Sequence, residues 1–74
     1  MNIYGNTSGE SNVDAYEFGE DYIDVRFMDG STYRYDHATT GKSNVDYMKR
    51  LAEQGFGLNG FISRFVKKAY ASKS

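Results

Sequence analysis

Several features are missing from this sequence, and each absence narrows the kinds of protein it can encode. The chain has no cysteine, so neither a disulfide nor a thiolate metal site can stabilise it. No stretch approaches the roughly 20 consecutive apolar residues of a membrane-spanning helix. The first residues lack the basic start and the apolar middle of a signal peptide. We therefore expect a cytoplasmic protein with no membrane partner.

The small size of the chain limits its stability. A chain of 74 residues forms at most one domain, and it buries only about 60–65% of the surface that its unfolded state exposes. Seven tyrosines and five phenylalanines supply large apolar areas, and each tyrosine adds a polar tip. Self-association would bury further surface, so the sequence leaves a homo-oligomer open.

Charge is unevenly distributed along the chain. The net charge is −1, but residues 1–40 carry a balance of −6 and residues 41–74 a balance of +5. This asymmetry predicts a dipolar surface, with an acidic half suited to a basic protein and a basic half suited to anions. A dedicated nucleic-acid-binding domain is usually basic throughout, and this chain is not.

The first half of the chain has the alternating pattern of half-buried strands. Ile23, Val25 and Phe27 fall on one face of a strand whose other face is polar. Asp29 and Gly30 form a strong hairpin signal after that strand. We predict strands over residues 12–18, 22–28 and 31–36. The pattern therefore predicts a three-stranded antiparallel β-meander.

The length of the hairpin loop decides which face of the sheet receives Tyr33 and Tyr35. A two-residue loop would turn both tyrosines away from the apolar face. A three-residue loop that ends in a left-handed Gly30 would pair Val25 with Tyr33 and bring both tyrosines onto that face, because a slip of one residue reverses every side chain. We favour the three-residue loop, since it gathers the large residues on one face and leaves Arg34 exposed.

The second half of the chain has helical spacing. We predict helices over residues 44–54 and 60–71, each with an apolar arc opposite a charged one. Ser43 and Asn59 are suitable N-caps for the two helices, and Gly55 is a suitable left-handed stop for the first. The apolar arcs comprise Val45, Tyr47, Met48, Leu51 and Ala52 in the first helix and Phe61, Ile62, Phe65, Val66, Ala69 and Tyr70 in the second.

Together these elements predict the fold class. It is α+β, with a three-stranded antiparallel β-meander followed by two amphipathic helices packed on one sheet face. A single domain spans residues 11–71. Residues 1–10 are polar and predict a flexible N-terminal arm, and residues 72–74 predict a short tail.

The tripeptide Gly41-Lys42-Ser43 resembles the end of a phosphate-binding loop but lacks the rest of that motif. Such a loop requires a glycine where this chain has Asp36. The tripeptide can simply begin a helix, with Ser43 as its N-cap. A weaker, functional interpretation is an anion site beside Lys42. His37 is the only histidine, and only Asp36 is near it as a partner for catalysis or metal binding. We therefore expect no enzymatic activity, no metal and no cofactor.

Basic and aromatic side chains form the candidate ligand site. Arg64, Lys67 and Lys68 share one helix face, which is either an ordinary solvated face or a surface for phosphates. Tyr33 and Tyr35 could stack unpaired bases if the two-residue loop turned them outward.

Short motifs occur along the chain in a defined order. They are SNV at 11–13, VRF at 25–27, Gly30 and YRY at 33–35, followed by Gly55, Asn59, Ile62, Phe65 and Tyr70. In this order they resemble the KTSC domain, a small module found at the C-terminus of some lysyl-tRNA synthetases and as stand-alone bacterial and phage-type proteins.

The resemblance to the KTSC domain covers residues 11–70. It implies a small α+β domain without an established enzymatic activity. It also implies an RNA-binding role, which falls on Tyr33, Tyr35, Asn59 and Arg64 of this chain. Family members often carry proline in the loop after the YRY motif, where this chain has none.

Two functional hypotheses follow from these observations. The first is a non-enzymatic module that binds RNA or a nucleotide-like anion through the basic helical half. The second is a protein-interaction or inhibitor module of phage or mobile-element type, which acts through the acidic sheet side or by self-association. The residues assigned to the ligand site are Tyr33, Arg34, Tyr35, Lys42, Asn59, Arg64, Lys67 and Lys68.

Overall fold

A computed structural model describes residues 1–6, 9 and 11–74, and within them a five-stranded antiparallel sheet is the framework of the fold. The strands are β1 (Asn2–Ile3), β2 (Val13–Phe18), β3 (Tyr22–Phe27), β4 (Thr32–Asp36) and β5 (Ser72–Lys73), and they lie in that order across the sheet. Among the described residues, every helical segment lies between β4 and β5 in the chain. The α+β class and the antiparallel arrangement are therefore as predicted.

The predicted number of three strands is wrong. The two additional strands, β1 and β5, lie in the segments that the sequence predicts to be an arm and a tail. Each is only two residues long, so neither shows the alternation of polar and apolar side chains that identifies a strand in a sequence. Thr7, Ser8 and Glu10 of the predicted arm lie outside the described residues.

The hairpin between β3 and β4 has the three-residue loop that the sequence favours. Val25 lies opposite Tyr33, and Ile23 lies opposite Tyr35. Gly30 has a φ of +89°, a conformation that glycine adopts without steric cost. These residues share the inner face of the sheet, on which Tyr35 is buried and Tyr33 is half-buried. The predicted register is confirmed. It does not give Tyr33 and Tyr35 the outward position that the sequence analysis required for base stacking on the sheet face.

The described residues form three α-helices and one π-helical segment. They are α1 (His37–Thr40), α2 (Lys42–Gln54), α3 (Leu58–Phe61) and the π segment (Ile62–Val66), which continues α3 without a break. The first predicted helix corresponds to α2 and begins earlier than expected. The second corresponds to α3 and the π segment, and it both begins and ends earlier than predicted. The short helix α1 was not part of the sequence prediction.

Two predicted helix caps are wrong, and one predicted helix stop is confirmed. The N-cap of α2 is Gly41 instead of Ser43, and the N-cap of α3 is Gly57 instead of Asn59. Glycine has no side chain, so neither cap makes a side-chain hydrogen bond. Gly55 ends α2 with a φ of +73°. An added Cβ at this position would lie 2.9 Å from the backbone of the N-terminal segment, so the stop also requires glycine for space.

Side chains from the sheet and from the helices share one buried cluster. It comprises Tyr4, Val13, Ile23, Val25, Tyr35, Val45, Met48, Leu51, Ala52, Leu58, Ile62 and Val66. Tyr4 comes from the predicted arm but is only 3% exposed, and its hydroxyl accepts a hydrogen bond from the backbone N–H of Leu58 at 3.2 Å. Tyr4 therefore anchors the N-terminal segment to the core, although its neighbours Ile3 and Gly5 are exposed.

Several aromatic residues that the helical pattern assigns to the core are exposed. Tyr47 is 49% exposed and Phe65 is 68% exposed, whereas Ile62 and Val66 are buried. A π-helix closes its hydrogen bonds between residues five apart instead of four. A helical wheel drawn at the α-helical spacing therefore misplaces side chains along the π segment, which contains Phe65. Tyr47 lies in α2, and its exposure does not have this cause.

Candidate functional site

One cleft collects most of the residues that the sequence assigns to a ligand site. It lies between the β3–β4 hairpin and the chain that runs from α3 through the π segment to Tyr70, and its volume is about 660 Å³. Five of the predicted residues line it: Tyr33, Tyr35, Asn59, Lys67 and Lys68. We refer to it as the tyrosine–lysine cleft.

Aromatic rings form the hairpin side of the tyrosine–lysine cleft. The ring of Tyr33 meets Phe27 edge to face at 5.4 Å and Tyr70 edge to face at 4.9 Å. Tyr35 lies nearly parallel to Tyr33, with 6.4 Å between the ring centroids. These contacts hold Tyr33 in one orientation. The Nζ of Lys73 also lies 5.3 Å from the centroid of its ring, so a planar group in the cleft would share the half-buried ring with this ammonium group.

Polar side chains form the helical side of the cleft. Lys67, Lys68 and Ser63 are exposed, and Asn59 is half-buried. Among the described residues, no carboxylate forms an ion pair with either lysine. Both ammonium groups are therefore available to an anion that enters the cleft.

One carboxylate also lines the cleft. Asp29 accepts hydrogen bonds from the backbone N–H of Ser31 at 2.9 Å and from its hydroxyl at 2.6 Å. The hydroxyl bond is the main reason that the pKa of Asp29 is lowered. The carboxylate is thus ionised at neutral pH, and it offsets one of the two lysine charges and leaves the lining of the cleft positive.

Tyr35 forms the buried end of the aromatic wall. It is 1% exposed, and burial is the main reason that its pKa is raised well above the usual value for a tyrosine. Tyr35 therefore stays a neutral phenol at neutral pH. It adds no negative charge that would oppose an anion in the cleft.

Arg34 is not brought to the cleft, because it lies on the opposite, outer face of the sheet. Its Nε and Nη2 donate to the two carboxylate oxygens of Asp24 at 2.7 and 2.9 Å. Its guanidinium carbon lies 4.1 Å from the ring centroid of Tyr22. The hydrogen bond to Asp24 is the main cause of the raised pKa of Arg34. This arginine is held by a carboxylate and an aromatic ring.

Lys42 is also remote from the cleft, at the start of α2. Its Nζ lies 2.7 Å from one carboxylate oxygen of Asp46, and the other oxygen lies 3.0 Å from Nε2 of His37. The bond from Lys42 is the main cause that lowers the pKa of Asp46 to about 2. The cation proposed from the sequence for an anion site at this helix start is therefore already paired.

Arg64, the remaining predicted residue, lines a different groove together with aromatic side chains of α2, α3 and the π segment. The eight predicted residues therefore do not form a single site. Five of them meet in the tyrosine–lysine cleft, and three lie elsewhere.

The sequence analysis missed other residues that line the cleft, among them Phe27, Ser63 and Tyr70. Phe27 and Tyr70 fall in apolar patterns, so they were expected in the core. The register of the hairpin was the available signal for Phe27, since it places this ring beside Tyr33 at the loop end of the inner face. Ser63 carries no signal in the sequence that distinguishes it from other exposed serines.

Comparisons of the chain with protein-family models, with curated proteins and with solved structures find no match. In the part of the chain that the structure describes, no helix is long and apolar enough to span a bilayer. The same part contains no group of three or more histidine, cysteine, aspartate or glutamate residues able to hold a metal ion. Any functional conclusion therefore depends on the geometry of the cleft.

Proposed function

We propose that this chain is a small non-enzymatic binding module whose tyrosine–lysine cleft holds a nucleotide-like anion supplied by unpaired RNA. The observation that carries the proposal is the position of Tyr33 opposite Lys67 and Lys68 in one cleft of about 660 Å³. A nucleotide combines a planar base with a phosphate, and the cleft offers an aromatic wall and two cations. The proposal includes membership of the KTSC family and a cytoplasmic location, where such RNA occurs.

Each wall of the cleft suits a different part of a nucleotide. A base could lie against the ring of Tyr33, since stacking on an aromatic side chain tolerates every base. Phosphate oxygens could accept hydrogen bonds from Lys67 and Lys68, which each carry three donors. The amide of Asn59 offers both a donor and an acceptor to a base edge or a ribose hydroxyl.

We also propose that both predicted helices pack on the same face of the sheet. The buried cluster shared by the sheet and the helical segments supports it. Tyr35 and Ile62 line the cleft and also belong to that cluster. Walls anchored in the core would bind a ligand with little additional loss of conformational entropy.

The alternative of a basic protein bound to the acidic sheet side has less support. On the outer face, Asp24 is paired with Arg34, and Asp14 lies 2.8 Å from Nε of Arg26. These arginines neutralise two of the carboxylates that would attract a basic partner. Two of the eight acids of residues 1–40 are therefore satisfied within the chain, which reduces the attraction of the acidic half for a basic partner.

Fluorescence anisotropy of a labelled single-stranded RNA tests the proposal directly. The full chain is titrated into the RNA at low and at physiological salt. Two phosphate contacts on a single strand predict a slope of about −1.4 for log K against log salt concentration. We expect weak binding that decreases with salt by about this slope. A slope near zero would contradict a role for Lys67 and Lys68 at phosphates.

A pair of variants with the same change in charge separates the cleft from general attraction. The test variant is Lys67→Glu/Lys68→Glu, and the control is Arg50→Glu/Arg64→Glu, whose residues are exposed and lie outside the cleft. We expect the test variant to lose at least about tenfold in affinity and the control to lose much less. Equal losses, with both proteins folded, would mean that RNA responds to net charge and not to the cleft.

A further inference from the structure

A second groove carries most of the exposed aromatic surface of the helical segments. Its volume is about 510 Å³, and it shares no lining residue with the tyrosine–lysine cleft. We refer to it as the aromatic groove. Its principal lining residues are Tyr47, Leu51, Phe56, Phe61, Arg64 and Phe65.

The rings of the aromatic groove form one connected surface. Tyr47 and Phe65 each lie 5.1 Å from the ring of Phe61, measured between ring centroids. Tyr47, Phe56 and Phe65 are 49%, 57% and 68% exposed. Large contiguous patches of exposed apolar surface are typical of sites at which proteins bind other molecules.

The charges around the aromatic groove are mainly positive. Residues 47–65 contain three cations, Lys49, Arg50 and Arg64, and one acid, Glu53. Arg64 lines the groove, and both it and Arg50 are exposed. Among the described residues, neither arginine forms an ion pair. The groove therefore combines apolar walls with available guanidinium groups.

The position of Arg50 places its charge beside the groove. It follows Tyr47 by three residues and precedes Gln54 by four on α2, and both of these residues line the groove. Residues three and four apart in a helix are neighbours on its surface. Arg50 and Arg64 therefore approach the groove from two different elements, α2 and the π segment.

We propose that the aromatic groove is a docking surface for an acidic peptide segment that carries a bulky apolar side chain. The apolar side chain would enter between Phe56 and Phe65. Carboxylates that flank it would pair with Arg50 and Arg64, since guanidinium groups bind carboxylates with two parallel hydrogen bonds. Helical peptides commonly bind in grooves of this kind through apolar anchors at helical spacing. This proposal is independent of RNA binding in the tyrosine–lysine cleft.

Charge favours an acidic peptide over a second copy of this chain. A twofold contact through the groove would bring Arg50 and Arg64 of both copies into one interface, and like charges that meet there are unfavourable. The exposed rings and arginines could also receive stacked bases, so single-stranded RNA is the competing occupant that the test must exclude. Both occupants are nevertheless distinguishable outcomes of the test below.

The test is a titration of the full isotope-labelled chain with a synthetic peptide, followed by amide chemical shifts. In the peptide, glutamates flank a phenylalanine and a leucine at helical spacing. We expect saturable shifts at Phe56, Gly57, Gly60 and Phe65, and affinity that decreases as salt is added. Control peptides replace the glutamates by glutamine, or the two apolar anchors by alanine, and each should bind much more weakly.

Two single charge reversals locate the contact. Arg64→Glu should weaken peptide binding by about tenfold or more, whereas Lys68→Glu, with the same change in charge but a place in the other cleft, should have a much smaller effect. Phe65→Ser provides a second test, because this ring is exposed and its loss should leave the fold intact. The substitution should lower the affinity for the peptide by a similar factor.

Several results would overturn the proposal. They are the absence of saturable shifts, shifts confined to the tyrosine–lysine cleft, and equal losses in the two charge-reversed variants. A concentration-dependent dimer in sedimentation, abolished by Phe65→Ser, would assign the groove to a second copy instead. Groove shifts produced by single-stranded RNA but not by the peptide would assign it to nucleic acid.

Discussion

The two faces of the sheet differ in how their neighbouring cations are used. On the outer face, Arg26 and Arg34 are each bonded to a carboxylate, at 2.8 and 2.7 Å. On the inner face, the tyrosine–lysine cleft places Lys67 and Lys68 beside aromatic rings, and among the described residues neither has an ion-pair partner. A cation bonded within the chain contributes to the fold, whereas an unpaired one can bind a ligand.

This difference explains why a charge count by halves of the chain is a poor guide to a binding site. The acidic half contains Arg34, which looks as suitable for a phosphate as any lysine in the basic half. Its position on β4 decides otherwise, because alternation directs it to the outer face and to Asp24. Neighbouring residues of one strand therefore belong to different sites.

The largest expected effect is on the inner face. Tyr35→Ala removes a side chain that is 1% exposed, and loss of a buried aromatic ring costs about 3–5 kcal/mol. A chain of this length is expected to have a free energy of unfolding of about 4–11 kcal/mol in total. We therefore expect the loss of about a third or more of the free energy of unfolding, and complete unfolding if the total lies at the low end of this range, measured by urea denaturation with circular dichroism.

The control for this prediction is Tyr35→Phe, which keeps the ring and removes only the hydroxyl. It should change the free energy of unfolding by less than about 1.5 kcal/mol. If Tyr35→Ala were as mild as this control, the inner face would not be the packed face of the sheet. The inner and outer faces could then not be distinguished by packing.

The next effect in size is on the outer face. Arg34→Ala leaves Asp24, a residue only 8% exposed, without its bidentate partner. An unsatisfied buried acceptor costs about 1–3 kcal/mol, so we expect a loss of this size in the free energy of unfolding. RNA affinity should stay close to that of the unmodified chain, because Arg34 lies away from the cleft.

A second arginine provides the control for the outer face. Arg26→Ala breaks a pair whose side chains are 40% and 38% exposed, and exposed pairs contribute only about 0–1 kcal/mol. The denaturation midpoint should therefore move less than for Arg34→Ala. A fall in RNA affinity for Arg34→Ala as large as that for Lys67→Glu/Lys68→Glu would show that the outer face also binds the ligand.

Sequence reasoning identified the central hairpin because two local signals agree there. Alternation in β3 defines the inner face, and Asp29-Gly30 fixes the position of the turn. Only the three-residue loop lets both Tyr33 and Tyr35 share that face, so one packing argument selects the register. With the register known, two residues of the tyrosine–lysine cleft are placed correctly on the inner face.

Other parts of the fold carry no comparable local signal. β1 and β5 are two residues long, and they exist because their backbones pair with β2 and β4, which are distant in the chain. The π segment departs from the spacing on which helical wheels depend, which is why Phe65 is exposed instead of buried. The pairing of Lys42 with Asp46 has the ordinary four-residue spacing of a helix, but the predicted helix began at residue 44 and left Lys42 outside it.

The smallest expected effect tests a third paired cation, Lys42, through its partner Asp46. The pKa of Asp46 is lowered from 3.8 to about 2 in the folded chain, mainly by the hydrogen bond from Lys42. Between these values the unfolded state binds more protons than the folded state, so stability decreases as the pH falls from about 4 to about 2. This contribution is fully present above pH 4.

Asp46→Asn removes the titrating group, so the acid-induced decrease in melting temperature over this range should be smaller than in the unmodified chain. Lys42→Ala should reduce the decrease in part, since the hydrogen bond from His37 also lowers the pKa of Asp46. Both are measured by thermal denaturation between about pH 2 and pH 6, a range that includes the unfolded value. Because the side chain of Asp46 is 40% exposed, water screens the interaction and the change should be small.

Identical pH profiles for Asp46→Asn and the unmodified chain would show that Lys42 is not held by this carboxylate. Lys42 would then rank with Lys67 and Lys68 as a cation available to a ligand.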